Sequence, residues 1–192
     1  MFPKLTNMEK TLIIHPLDNS TDFLTLCYEK IPYKTVIRKN ITEEKLKTEI
    51  QNHDRIFIMG HGTPLGLLST QQCENFSGYI ISEKHVPLLK EKECIFIWCN
   101  SDYFVKKHQL KGFYSGMFIS EVGEAKYCGL KNTTQVEVSS SNYRFSLILR
   151  EHSTKPIHQM FKDTKKEYGD YGYHQDSQVV KYNHDRLFCN VI

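Results

Sequence analysis

Four short runs of strand length recur along the chain, and their spacing constrains the fold more than any other feature. They are Thr11-Leu-Ile-Ile-His15, Tyr33-Lys-Thr-Val-Ile-Arg38, Arg55-Ile-Phe-Ile-Met-Gly60 and Cys94-Ile-Phe-Ile-Trp98. The segments between them carry helical patterning. Phe23, Leu24, Cys27 and Ile31 fall at helical spacing over 22–30, behind the capping side chains of Asp18-Asn-Ser20. Pro32 stops that helix, as Pro16 closes the first strand. Thr42 caps a second helix whose apolar stripe is Leu46 and Ile50. This β-α-β-α-β alternation predicts an α/β protein, a three-layer αβα sandwich with a mainly parallel central sheet.

Thr63 to Gly78 reads as a loop, with a small hairpin involving Tyr79-Ile-Ile81. Ser82 caps a helix through Lys92, and Ser101 or Asp102 caps one through Leu110. Gly116-Met-Phe-Ile119 reads as a fifth strand, followed by a helix from Ser120 to Tyr127. Beyond it the pattern predicts a helix over Glu137–His152 and another from Pro156 to about Tyr168. Gly169-Asp-Tyr-Gly-Tyr173 reads as a turn, and a final short helix is expected within Gln175–Phe188. Residues from about 135 to 192 are thus extra C-terminal helices packing on the sheet, and 1–192 is expected to be one domain.

Composition narrows the function classes. Charged residues make up 24% of the 192 and hydrophobic ones 40%, the balance of a chain that buries a core. A net charge of +3, with Lys and Arg scattered, offers no nucleic-acid footprint. No run is long enough to span a bilayer, so no membrane role is expected. Met1–Lys10 lacks a signal-peptide pattern, which predicts a cytoplasmic protein. Cys27, Cys73, Cys94, Cys99, Cys128 and Cys189 form no Cys-x-x-Cys pair, so reduced thiols are expected and a zinc site is not.

The third and fourth runs each end in a chemically useful residue. His61-Gly62 follows one and Cys99 follows the other, a single crossover later. Ligands bind an open parallel sheet outside the carboxyl ends of its strands. A thiol needs a base to become thiolate near neutral pH, and an imidazole can take that proton and return it to a leaving group. Gly62 has no Cβ, so its N–H can approach a substrate carbonyl as half of an oxyanion hole, with the Cys99 N–H as the other half.

Strand-His-Gly followed one crossover later by strand-Cys resembles the caspase-like cysteine peptidases, which include caspases, metacaspases, gingipains, clostripain, legumain and separase. In that family the His-Gly motif follows the third core strand and the Cys follows the fourth. The resemblance covers residues 11–130 in element order and the two motifs residue by residue. It implies a caspase-like fold with His61 as general base and acid, Gly62 as oxyanion donor and Cys99 as nucleophile. The implied reaction is peptide-bond cleavage through an acyl-enzyme, with a peptide or protein as substrate, no cofactor and a charged pocket that selects the P1 residue. Asp102, Glu121 and Glu124 are acidic groups near predicted strand ends that would favour a basic P1.

The family usually carries Ala or Ser just before the cysteine, and this chain carries Trp98. That feature favours the alternative expectation, a catalytically inactive caspase-like or flavodoxin-like binding or regulatory module. A thiol-dependent hydrolase or transferase of small molecules is a third. The plainer expectations are that Gly60-His61-Gly62 is a turn and that Cys99 is a buried structural thiol. No Walker A or dinucleotide fingerprint occurs, and Gly112-Phe-Tyr-Ser-Gly116 sets its serine one place late for a nucleophile elbow. His152 and His158 read as surface groups, and Tyr168, Tyr171 and Tyr173 as a packing cluster.

Overall fold

A computed structural model describes residues 10–191; the N-terminal reading on residues 1–9 lies outside the described residues. In chain order the elements are β1 (Thr11–Ile14), a 3-10 helix (Asn19–Tyr28), β2 (Lys34–Ile37), α1 (Glu43–Asn52), β3 (Arg55–Met59), β4 (Gly62–Thr63), β5 (Gly66–Leu68), β6 (Tyr79–Ile81), a 3-10 turn (Glu83–His85), α2 (Val86–Leu89), β7 (Glu93–Ile97), α3 (Ser101–Lys107), β8 (Gly112–Ser115), α4 (Val122–Tyr127), α5 (Gln135–His152), α6 (Ile157–His174), α7 (Gln178–His184) and β9 (Leu187–Cys189).

The main sheet has the order β2-β1-β3-β7-β8-β9. Its first five strands are parallel and β9 runs antiparallel to β8. Each central strand splits its side chains between two cores, because successive residues point to opposite faces. Leu12, Ile14, Ile56, Ile58, Cys94 and Phe96 face a core closed by α1, α2, α3 and the small antiparallel sheet β4-β5-β6. Ile13, Phe57, Met59, Ile95 and Ile97 face the other, closed by the 3-10 helix, α5 and α6. The C-terminal helices thus cover one face of the sheet, and the architecture is an α/β sandwich. Arg55 and Glu93, paired in register, form a cross-strand ion pair at 2.7 Å at the start of β3 and β7. No helix among the described residues is long and apolar enough to cross a membrane.

The local expectations are corrected in several places. The fifth strand is Gly112–Ser115, not Gly116–Ile119. Phe118 and Ile119 are apolar because they plug interior space, and Asn183 supplies both hydrogen bonds a neighbouring strand would give Ile119: its Oδ1 accepts from the Ile119 N–H at 2.7 Å and its Nδ2 donates to the carbonyl at 2.9 Å. Gly169–Tyr173 is helical, within α6. Gly172 serves close packing rather than a turn, since a Cβ there would press into Val180 of α7. The helix expected over Ser82–Lys92 is a 3-10 turn and one α-turn. Asn100, left-handed at φ +65°, caps α3 in place of Ser101 or Asp102. The edge strand β9 has only three residues and no periodicity to announce it. His152 is buried, with Nε2 2.9 Å from Glu167, while His158 is exposed.

At the end of β1, His15 is fully buried, with Nδ1 3.0 Å from the Tyr28 hydroxyl and Nε2 3.3 Å from Thr21 Oγ1. It ties the 3-10 helix to the sheet. Burial, reinforced by the Arg38 cation, pushes its pKa down to about 4. The unfolded chain, with an ordinary value near 6.5, takes up a proton that the folded chain refuses between those two values. The contribution is therefore complete above about pH 6.5 and is lost as pH falls through the window. The loss amounts to about 3 kcal/mol at full effect. We expect denaturant midpoints to fall from pH 7 to pH 4, and His15→Gln to flatten that fall; equal slopes would show that His15 is not the source.

Candidate active site

The order of the sheet creates a place for a site. The chain leaves β1 outward to β2, then returns past β1 to β3, so the connections after β1 and β3 leave on opposite faces. That reversal opens a crevice at the carboxyl ends of β1 and β3. His15 ends one strand there and Gly60-His61 ends the other.

Period-2 alternation decides which side chains enter it. Phe57 and Met59 face the core under the 3-10 helix, and the next residue of that row is His61. Ile95 and Ile97 face the same core, and the next is Cys99. β3 and β7 are paired with Met59 opposite Ile97, and the Gly60 N–H continues the ladder to the Ile97 carbonyl at 3.1 Å. Two residues on lie His61, reached through Gly60 at φ +137°, and Cys99. Both side chains line one small crevice of about 20 Å³ under the 3-10 helix and Phe118.

His61 is held from the loop after β1. Its Nε2 lies 2.6 Å from Ser20 Oγ, and Ser20 Oγ lies 2.5 Å from Asp18 Oδ1. Asp18 also accepts the Ser20 N–H at 2.9 Å as the cap of the 3-10 helix. Those bonds from Ser20 hold its carboxyl below the usual range, so it is ionised and can only accept. The single Ser20 proton therefore goes to Asp18, and Ser20 Oγ accepts the proton on His61 Nε2. In the neutral imidazole this leaves Nδ1 with the lone pair, and Nδ1 has no protein partner among the described residues. The sequence reading saw Asp18 and Ser20 only as helix caps. Asp18 serves as the cap, and through Ser20 it orients the imidazole at the same time.

Cys99 is partly buried, and its thiol donates to the Phe118 carbonyl at 3.3 Å and approaches Glu124 Oε1 at 3.7 Å. Burial, with the Glu124 carboxylate adding to it, pushes its pKa up to about 12. At rest it is a thiol turned toward Glu124. The Cys99 N–H donates to no acceptor among the described residues, and the turn after it is fixed by Asn100 N–H to Gly116 O at 3.0 Å.

Gly62 and Trp98 are explained together. Trp98 continues the Cys94-Phe96 row, so its indole lies on the face opposite Cys99, fully buried against Phe96 and Phe104. Its Nε1–H donates to Thr63 O at 3.1 Å. A Cβ on Gly62 would fall inside the indole ring. The indole before the cysteine is thus seated in the opposite core, and Trp98 also borders the crevice.

The acidic candidates divide. Asp102 lies on α3, paired with Lys106 at 2.9 Å, and lines a separate depression with Tyr103 and Met117. Glu121 is an exposed cap of α4, and Glu124 alone reaches Cys99. Among the described residues no cluster of three or more His, Cys, Asp or Glu could hold a metal ion, and all six cysteines are free. No family model matches the chain, and no curated protein does.

Two measurements test this geometry. Gly62→Ala should destabilise the fold by about 2–4 kcal/mol through the clash with Trp98, and Trp98→Leu should recover part of that loss in the double variant; independent, additive effects would disprove the packing account. Glu124→Gln keeps the helix cap but removes the charge facing the thiol. It should lower the Cys99 pKa and speed iodoacetamide labelling at pH 8 several-fold, and an unchanged rate would show that Glu124 does not hold the thiol.

Proposed function

We propose that the chain is a cysteine endopeptidase of the caspase-like kind, with His61 as base and Cys99 as nucleophile. The observation that carries the reading is that His61, just after β3, and Cys99, just after its paired strand β7, line one crevice. Supporting it, His61-Gly62 follows the third strand of the main sheet in chain order and Cys99 follows the fourth, the order the resemblance implies. Support also comes from Ser20, which orients the base as a third group orients the base in other nucleophilic sites.

In this reading a substrate displaces the thiol from the Phe118 carbonyl by a rotation about Cα–Cβ. The thiol proton passes to His61 Nδ1 as Sγ attacks the scissile carbonyl carbon, and the oxyanion takes the Cys99 N–H. His61 then gives the proton to the leaving amine as the C–N bond breaks. Water, deprotonated by the same imidazole, cleaves the acyl-thioester and restores the thiol. The reaction needs no cofactor, and its partner is a peptide or protein.

One observation favours a second reading, a non-catalytic module: the resting thiol is protonated and faces a carboxylate. A mixed series of peptidyl acyloxymethyl ketones separates the two. For a peptidase, mass spectrometry should find an adduct on Cys99, and His61→Ala should slow its formation at least a hundredfold at pH 7.5. Formation at the same rate in both proteins would refute the dyad. Absence of any adduct, together with a peptide-library digest indistinguishable from that of Cys99→Ala, would establish the module.

A further inference from the structure

We infer that the crevice walled by His61 and Cys99 is the seat of the residue bearing the scissile carbonyl, and that it admits only small, uncharged side chains of glycine or alanine size. The inference rests on the cysteine-peptidase reading and goes beyond it by naming the substrate class. Besides His61 and Cys99, the crevice is lined by Phe23, Leu24, Ile97, Trp98 and Phe118, with Thr21 and Ser120 as its other polar members. Its free volume of about 20 Å³ holds roughly one water.

The walls are not soft. Leu24, Ile97 and Phe118 are nearly fully buried, and Phe118 packs on Phe145 of α5 with ring centres 4.8 Å apart. Thr21 is tied to His15 at the end of β1. Enlarging the crevice on that side would disturb the core beneath the 3-10 helix, which interior packing resists. A leucine or longer side chain therefore meets a wall.

Charge is excluded on separate grounds. No acidic or basic side chain other than the imidazole lines the crevice, and a guanidinium or carboxylate placed there would lose its water without gaining a partner. The carboxylates nearby are already engaged. Asp18 is taken by Ser20, and Glu124 accepts from Ser120 N, Ser120 Oγ and Glu121 N at 2.7, 3.0 and 3.1 Å. Asp102, which the sequence offered for a basic P1 residue, lines a different depression and is paired with Lys106.

The test uses acyloxymethyl ketones that share one peptide and differ only at the terminal residue: Gly, Ala, Leu, Arg or Asp. Adducts on Cys99 are timed by intact mass and located by peptide mapping. The Gly and Ala probes should react at least tenfold faster than the other three, since one excess methylene at a tight apolar wall costs about tenfold or more. Reaction of the Leu, Arg or Asp probe at an equal or greater rate, still dependent on His61, would overturn the size and charge limit while leaving the dyad standing. Absence of a His61-dependent adduct from any probe would overturn the peptidase reading, and this inference with it. Phe23 is only partly buried, so Phe23→Ala can open the crevice without emptying the core. It should raise the Leu-to-Gly rate ratio about tenfold, and an unchanged ratio would show that the probe's side chain lies elsewhere.

Discussion

The parallel pairing of β3 with β7 is the constraint on which the rest of the structure depends. Arg55 opposite Glu93 and Met59 opposite Ile97 fix one register over five residues. A slip of one residue would exchange the two faces, sending Phe57 and Ile95 into the core meant for Ile56 and Cys94. Burying a side chain of that size contributes roughly 1.5–3 kcal/mol, so the register is held by several such terms at once. The strand ends inherit that precision. His61 and Cys99 reach one crevice because the strands that carry them are already paired for packing reasons.

The same alternation resolves the conflict between a bulky residue and a narrow site. Trp98 and Cys99 are adjacent in sequence and lie on opposite faces of the sheet. The tryptophan before the cysteine fills the far core with its indole and also borders the crevice. Its requirement falls on Gly62, whose missing Cβ makes room for the indole. One glycine that chemistry would assign to an oxyanion site is therefore also demanded by packing.

The legible parts of the fold were those written in apolar runs. β1, β3 and β7 are dominated by Ile, Leu and Phe with both faces buried, and their signal survives without context. The sandwich and the strand-end positions of His61 and Cys99 followed from them. β8 was misplaced because Phe118 and Ile119 mimic a strand while filling a crevice and a small satellite core. The end of α6 was missed because Gly172 looks like a turn residue until Val180 is seen against it. The hold on His61 was illegible for a different reason. Asp18 and Ser20 carry an ordinary capping pattern, and nothing local shows that the cap also faces a histidine 41 residues away.

Glu124 makes the resting state of the site understandable. Its Oε2 is fixed by three donors at the start of α4, which keeps the side chain in place whether or not the thiol is near. The free Oε1 then faces Cys99, and a carboxylate there disfavours the thiolate. On the opposite wall Ser20 fixes the imidazole through Nε2. His61 is held through Ser20 by the Asp18 cap of the 3-10 helix, and Cys99 by Glu124 of the α4 capping box, so the two side chains have different partners. Moving the thiol from Glu124 to the imidazole exchanges a like charge for a proton acceptor. At rest the thiol is thus protonated, with the Phe118 carbonyl and the Glu124 carboxylate as its partners.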